Sequence, residues 1–392
     1  MIKMRSVMMI IVSVLMSGTV FGTEFTYPIV DTGVTRFYNA TQEIGMPEEG
    51  DSYYGQDAHF QGNMPSYRDN NDGTLTDNVT GLMWQKEMGE KCTYEDALQK
   101  ARTLHLGGYD DWRIPTIKEL YSLIQFTGRS GGTKADTLYI DTKYFIQPIG
   151  DVRKGEREID AQTWSSTRYC GKSINGMELI FGVNFIDGRI KGYPNVDPRT
   201  RQEKKMYFRM VRGNKEYGKN NFIDNGDGTV SDYATGLMWQ KSDDGTFRDW
   251  PTSLQYASKL ELAGYSDWRL PDAKELQSIV DYSRSPSSTN SPAIDPVFTV
   301  TAITDPSGKR NYPYYWTSTT HLDGRNPGDA AVYIAFGEAQ GKMHERLIDI
   351  HGAGAQRSDP KDGNSSDYPQ YRGPQGDVRY VFNAVRCVRT MK

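Results

Sequence analysis

The chain carries DNGDGTVSDYATGLMWQ at residues 224–240 and DNNDGTLTDNVTGLMWQ at residues 69–85, and how this duplicated stretch is read decides the fold. Its acidic start resembles a calcium loop. An EF-hand needs oxygen ligands at positions 1, 3 and 5, glycine at 6 and an acidic residue at 12. With Gly228 at position 6, positions 1 and 12 are Ile223 and Ala234; the first copy puts Arg68 and Val79 there. The EF-hand reading fails in both copies, and no metal ligand set is expected. Asp-Gly between β-prone residues instead predicts a tight turn, because glycine tolerates positive φ and aspartate bonds to nearby backbone. The stretch then becomes a hairpin that delivers Trp84 or Trp239 into a core.

Three further blocks recur in the same order. GGYDDWRIPTIKEL (107–120) matches AGYSDWRLPDAKEL (263–276), TWSSTRY (163–169) echoes YWTSTTH (315–321), and FRMVRG (208–213) echoes VRCVRT (385–390). Solenoid units are much shorter than this period. Each copy is therefore expected to be a domain with its own core, at 62–213 and 220–392, joined by the polar linker GNKEYGKNN (213–221). Residues 23–61 form an extended, aromatic-rich lead-in expected to pack on the first domain.

Within each copy the expected order is a hairpin, two helices and then strands. TYEDALQKARTL (93–104) and DWPTSLQYASKLEL (249–262) have helical spacing, with Thr93 and Asp249 as N-caps. Thr116 with Glu119, and Asp272 with Glu275, form capping boxes that start a second short helix. Strands are expected around Trp164, 179–185 and 207–212, and around Trp316, 332–336 and 380–389. Helices early and strands later, without β-α alternation, predict an α+β fold with a mostly antiparallel sheet.

Residues 1–22 (MIKMRSVMMIIVSVLMSGTVFG) have two basic residues ahead of an apolar run, the layout of a secretory signal peptide. The run is shorter than the ~20 residues that span a bilayer, so no integral span is expected after cleavage. The expected location is outside the cytoplasm: periplasmic, cell-surface or secreted. The chain's formal charge is −4, and losing Lys3 and Arg5 makes the remainder more acidic, which excludes wholesale nucleic-acid binding. Of the three cysteines, Cys92 and Cys170 lie in the first half and are the candidate disulfide, leaving Cys387 unpaired.

The repeated motif residues Trp84, Asp111, Trp112, Arg113, Trp164 and Arg212, with Trp239, Asp267, Trp268, Arg269, Trp316 and Arg389, read as a structural set: core indoles flanked by charged groups that hold loops in place. Arg209 and Arg212, like Arg386 and Arg389, are expected to share one strand face. No HExxH, GxSxG, P-loop or dinucleotide fingerprint occurs, and no histidine recurs in both copies. No catalytic residue and no cofactor are expected. One basic cluster stands out in RTRQEKKMYFRMVRGNK (199–215). Arg199, Arg201, Lys204, Lys205 and Tyr207 are the candidate ligand-binding residues, suited to a sulfated or acidic polysaccharide. The second copy lacks the cluster and has a Gly/Asp/Ser-rich insertion at 351–377, expected to be a surface loop.

DNGDGTVSDYATGLMWQ, AGYSDWRLPDAKELQSIVD, YYWTST and AVRCVR together resemble the Lcl C-terminal domain family, named for a bacterial collagen-like surface adhesin. The resemblance covers both copies, and PIVDTGVTRFYN with YGQDAHF is similar to the segment that often precedes such a domain. It implies an exported bacterial protein and a relationship to the C-type-lectin-like superfold. Binding of sulfated glycosaminoglycans and adhesion are associated with the name-giving member. The lectin sugar signatures EPN, QPD and WND are absent, as are the paired cysteines of the related oxidases. Family copies often pair a helix cysteine with the one in RCVR; here the first copy has Met210 in that strand, and the second has Cys387 without a helix partner. The expected function is an exported, non-catalytic binding module for extracellular glycans or polyanions in attachment. The alternative is an envelope structural or protein-interaction protein using loops near Pro251 and His351.

Overall fold

The computed structural model describes residues 25–391 except 174, 175, 198, 199 and 325, so the expected signal peptide and Arg199 lie outside the described residues. The first repeat comprises β1 (Tyr67–Asp69), β2 (Thr74–Asp77), β3 (Leu82–Gln85), α1 (Tyr94–Thr103), α2 (Ile117–Ser122), β4 (Thr163–Arg168), β5 (Leu179–Asn184), β6 (Arg189–Pro194) and β7 (Val211–Gly213). The second comprises β8 (Phe222–Asp224), β9 (Thr229–Asp232), β10 (Leu237–Gln240), α3 (Trp250–Ser258), α4 (Ala273–Ser278), β11 (Tyr314–His321), β12 (Ala330–Ala335), β13 (Gln340–Met343), β14 (Arg346–Asp349), β15 (Gln356–Pro360), β16 (Tyr371–Arg372), β17 (Asp377–Val378) and β18 (Val388–Thr390). Short helices and mostly antiparallel sheets make the fold α+β.

The duplicated hairpin forms as its turn chemistry dictates. Asp227 Oδ1 accepts from Thr229 N at 3.0 Å and Thr229 Oγ1 at 2.6 Å, and Asp72 accepts from Thr74 at the same distances. Lys241 and Lys86 bind Asp224 and Asp69 at 2.6 Å, so these carboxylates close the turn. The last strand of each repeat returns to the hairpin, giving the orders β7-β3-β2-β1 and β8-β9-β10-β18. Both capping boxes form, with Thr116 and Asp272 as caps.

Each repeat keeps a core cluster of its own, but the two also share a third, larger one. A six-stranded sheet, β11-β12-β15-β6-β5-β4, takes three strands from each repeat and joins them where β6 meets β15 at Ile190 and Gln356. Gly192 allows this approach, because an added Cβ would lie 2.7 Å from Leu179 Cδ1 and 3.0 Å from His351 O. Both faces of the sheet are covered, which is why LIFGVN and AAVYIA read as apolar runs rather than alternating strands. On one face a single cluster holds Trp84, Leu120 and Phe181 of the first repeat with Trp239, Leu276 and Val332 of the second. On the other, α1 packs with Trp112 and Trp164, and α3 packs with Trp268 and Trp316.

At the centre, α2 and α4 exchange lysines. Lys118 Nζ donates to Ser278 O at 2.6 Å, and Lys274 Nζ donates to Ser122 O at 2.9 Å, each reaching the carboxyl end of the other repeat's helix. Lys118 also binds Gly218 O (3.1 Å) and Asn220 Oδ1 (2.9 Å) in the linker, and Lys274 binds Asp31 O (2.9 Å) in the lead-in. Burial pushes both ammonium groups down to about 8, so both are charged at neutral pH.

Several expectations are corrected. The lead-in packs chiefly on the second repeat: Tyr27 N donates to Ala234 O, Tyr53 Oη to Asp362, and Lys361 Nζ to Tyr38 O. The insertion is only partly surface loop, because its residues 356–360 form β15 and complete the central sheet, while β16 and β17 join β13 and β14 in a small sheet of their own. His351 is buried against Asp377, out of reach of a partner. The three cysteines are free. Cys92 lies with Trp164 and Met206 in the α1 cluster, whereas Cys170 packs on the shared cluster and accepts from Ser288 Oγ at 3.3 Å. The sulfurs of the expected disulfide therefore belong to different packing layers.

Because one cluster and one sheet serve both repeats, urea unfolding is expected to show a single transition by near-UV circular dichroism and tryptophan fluorescence. Two resolved transitions would contradict the shared core. Lys118→Ala and Lys274→Ala are each expected to cost about 2–4 kcal/mol, from lost packing and unpaired helix carbonyls. The double variant should cost less than the sum, since both changes open one interface.

Candidate binding site

The motif residues settle into structural roles, and the same bonds recur in both repeats. Trp112 Nε1 donates to Leu106 O and Trp268 Nε1 to Leu262 O, closing each DWR loop at 3.1 and 3.2 Å. Arg113 binds Glu119 at 2.7 and 2.5 Å, and Arg269 binds Glu275 at 2.6 Å through both nitrogens. Arg212 pairs with Asp111 and lies over Tyr109; Arg389 pairs with Asp267 and lies over Tyr265. Arg209 and Arg386 do not share a face with them, since a separation of three residues in a strand reverses the side. Each of these two is fully buried on three backbone carbonyls: Gln85, Lys86 and Ile146 for Arg209, and Gln240, Lys241 and Thr299 for Arg386.

Removing Arg209 and Arg212 from the basic cluster leaves a smaller surface. Arg201 and Lys205 are exposed, and Lys204 is half-buried with Nζ 4.9 Å from the centre of the Tyr193 ring. Lys191 approaches the same ring at 5.4 Å, and burial pushes its ammonium down to about 8. Tyr207 lies beside Lys91, which is itself tied to Glu156 at 2.6 Å. Of the candidates, Lys204 is brought to the buried Tyr193 ring together with Lys191, whereas Tyr207 lies against Lys91; the sequence singled out neither Tyr193 nor Lys191. Both lie on β6, whose sequence RIKGYP has no echo in its counterpart β15, QRSDP.

A second feature was not foreseen. A cleft of about 570 Å³ opens between the repeats, walled by Arg113, Thr116 and Thr167 of the first, by Lys215 and Lys219 of the linker, and by Tyr282 of the second. The corresponding place in the second repeat is filled. There the lead-in inserts Asp57, whose carboxylate accepts from Thr319 Oγ1 at 2.5 Å and Thr32 Oγ1 at 2.9 Å. Phe60 follows, its ring 5.3 Å from the Arg269 guanidinium. Thr319 is fully buried under this plug, while Thr167, which holds the Ile117 N–H as Thr319 holds that of Ala273, is half-buried. The recurrence of Ser-Thr after each β-strand tryptophan was legible, but its unequal burial was not.

The plug is electrostatically costly. Burial pushes the Asp57 carboxyl up to about 7, opposed by the Thr319 and Thr32 hydrogen bonds and reinforced by Asp31 and Glu275. Asp272 stands nearby as the α4 cap, and Arg269 and Lys274 supply the positive charge.

Comparison with known proteins places the chain in a family. The profile of the Lcl C-terminal domain family matches residues 73–212 and 228–350, more than half of the chain in two tandem copies, and the chain belongs to that family. The second match ends within the inserted sheet, although β18 completes that repeat as β7 completes the first. No curated protein and no solved structure matches the chain. Among the described residues, no helix is long and apolar enough to cross a membrane.

Folded Asp57 keeps its proton to higher pH than the unfolded chain does. Between about pH 4 and pH 7 the native state therefore binds more protons, and its stability falls as pH rises. Asp57→Asn should remove about 2–4 kcal/mol of that decline. Urea midpoints of the two proteins at pH 4.5, 5.5 and 7 test this, and parallel curves would refute it.

Proposed function

We propose that this member of the Lcl C-terminal domain family is an exported, non-catalytic binding module that attaches to an acidic extracellular polysaccharide. We further read each repeat as a variant of the C-type-lectin-like fold, a reading supported by the early helices, the later antiparallel strands and the pairing of the last strand with the first hairpin. The observation that carries the binding proposal is the run of cations at the surface, Arg201 and Lys205 exposed and Lys204 half-buried over the ring of the buried Tyr193. Exposed cations suit the sulfate or carboxylate groups of a polysaccharide, and the buried Tyr193 ring serves as the support that holds the Lys204 ammonium group in place. The family's surface association supports the same reading.

Heparin affinity chromatography provides the test. The triple variant Arg201→Ala, Lys204→Ala, Lys205→Ala should elute at distinctly lower salt than the parent, and retention of the parent should itself fall with ionic strength. Unchanged retention of the triple variant would sink the proposal.

A further inference from the structure

We propose that the open cleft between the repeats receives an acidic peptide segment of a partner protein, one that presents an aspartate or glutamate followed three positions later by an aromatic residue. The inference concerns a different face from the polysaccharide surface and stands independently of it.

The chain itself supplies the pattern for the occupant. The two repeats build the same wall: an arginine bound bidentate to the capping-box glutamate, a lysine reaching across to the other helix, and a threonine whose oxygen holds the first helical N–H. In the second repeat, this wall is covered by the lead-in's DSYYGQDAHFQ (residues 51–61). Asp57 meets the threonine hydroxyl, and Phe60 lies against the arginine. The linker before the second repeat supplies only what corresponds to the inner part of the lead-in. Gly218 O accepts from Lys118 as Asp31 O accepts from Lys274, and nothing follows to fill the outer part. What remains is the cleft of about 570 Å³.

The open wall keeps the unused valences such a segment needs. Among the described residues, the Thr167 hydroxyl donates to nothing and no aromatic ring lies over Arg113. Arg113 retains 28% side-chain exposure against 13% for Arg269. The charge also suits an acidic occupant better than the filled wall does. Thr116 replaces the Asp272 that opposes Asp57, and Lys215 stands at the rim with Lys219, which is paired with Glu216 at 2.8 Å. Asp281 and Asp295 on the far side are engaged in their own turns, accepting from Ser283 and Val297. A peptide is favoured over a saccharide because the filled wall is met by two side chains at fixed spacing along a backbone.

The test uses the full chain and a fluorescein-labelled DSYYGQDAHFQ peptide, followed by fluorescence anisotropy. Saturable one-to-one binding is expected. The peptide variant Asp57→Asn should weaken it by roughly tenfold or more, the value of one charge-assisted hydrogen bond. Thr167→Val in the protein should do the same. Lys215→Ala with Lys219→Ala, both at the rim, gives a second variant that does not depend on the helix start being undisturbed. Hydrogen exchange should slow at residues 113–119 and 279–282 on adding peptide. Equal binding of the Asn peptide, protection at 266–275 instead, which would mean displacement of the lead-in, or competition by excess heparin would each overturn the proposal.

Discussion

Two lysine ammonium groups, that of Lys274 buried and that of Lys118 half-buried, hold this molecule together. A lysine in a six-residue helix would ordinarily point to solvent, but Lys118 and Lys274 each end on the last carbonyls of the opposite helix. A cation at a helix carboxyl terminus is favourable both as a donor and against the helix dipole. Each lysine also gathers the strand of chain that enters its repeat, the linker for one and the lead-in for the other. The pair thus sets the distance between α2 and α4. That distance places the two halves of the central sheet edge to edge and lets one apolar cluster run beneath both.

Once the halves are set, their differences matter more than their likeness. The second repeat inserts β13 and β14 between β12 and β15, so the strand that joins the halves is separated in sequence from its hairpin partner. In the first repeat β5 and β6 are joined directly. The lead-in adds a further inequality by covering one Ser-Thr wall and leaving the other open. Surfaces peculiar to one half therefore arise where the two repeats differ, while the residues they share maintain the fold.

Much of the local structure was legible because it rests on short-range chemistry. The Asp-Gly turns, the N-caps Thr93 and Asp249, and both capping boxes follow from residues within a few positions of one another. The tryptophans and the DWR triplets were legible as structural through their recurrence. What could not be read depends on long-range pairing. The lysines of TIKE and DAKE look like solvated helix residues until the second helix is placed beside the first. The insertion's QRSDP has no strand signature, and becomes β15 only because β6 offers an edge. The expected Cys92–Cys170 bridge failed for the same reason: proximity in sequence said nothing about which side of β4 each cysteine would occupy. The basic run divides in the same way: Arg209 and Arg212 lie close in sequence to Lys204 but serve the backbone and Asp111.

The exchange of Lys118 and Lys274 has the form of an isologous contact, in which residue i of one half meets j of the other and j meets i. A homodimer of single repeats could make the same contact, but its symmetry would oblige it to present two identical clefts. Carrying both halves on one chain removes that obligation. A single N-terminal segment can then cover one copy of the wall and leave the other open, so that two like halves present unlike surfaces.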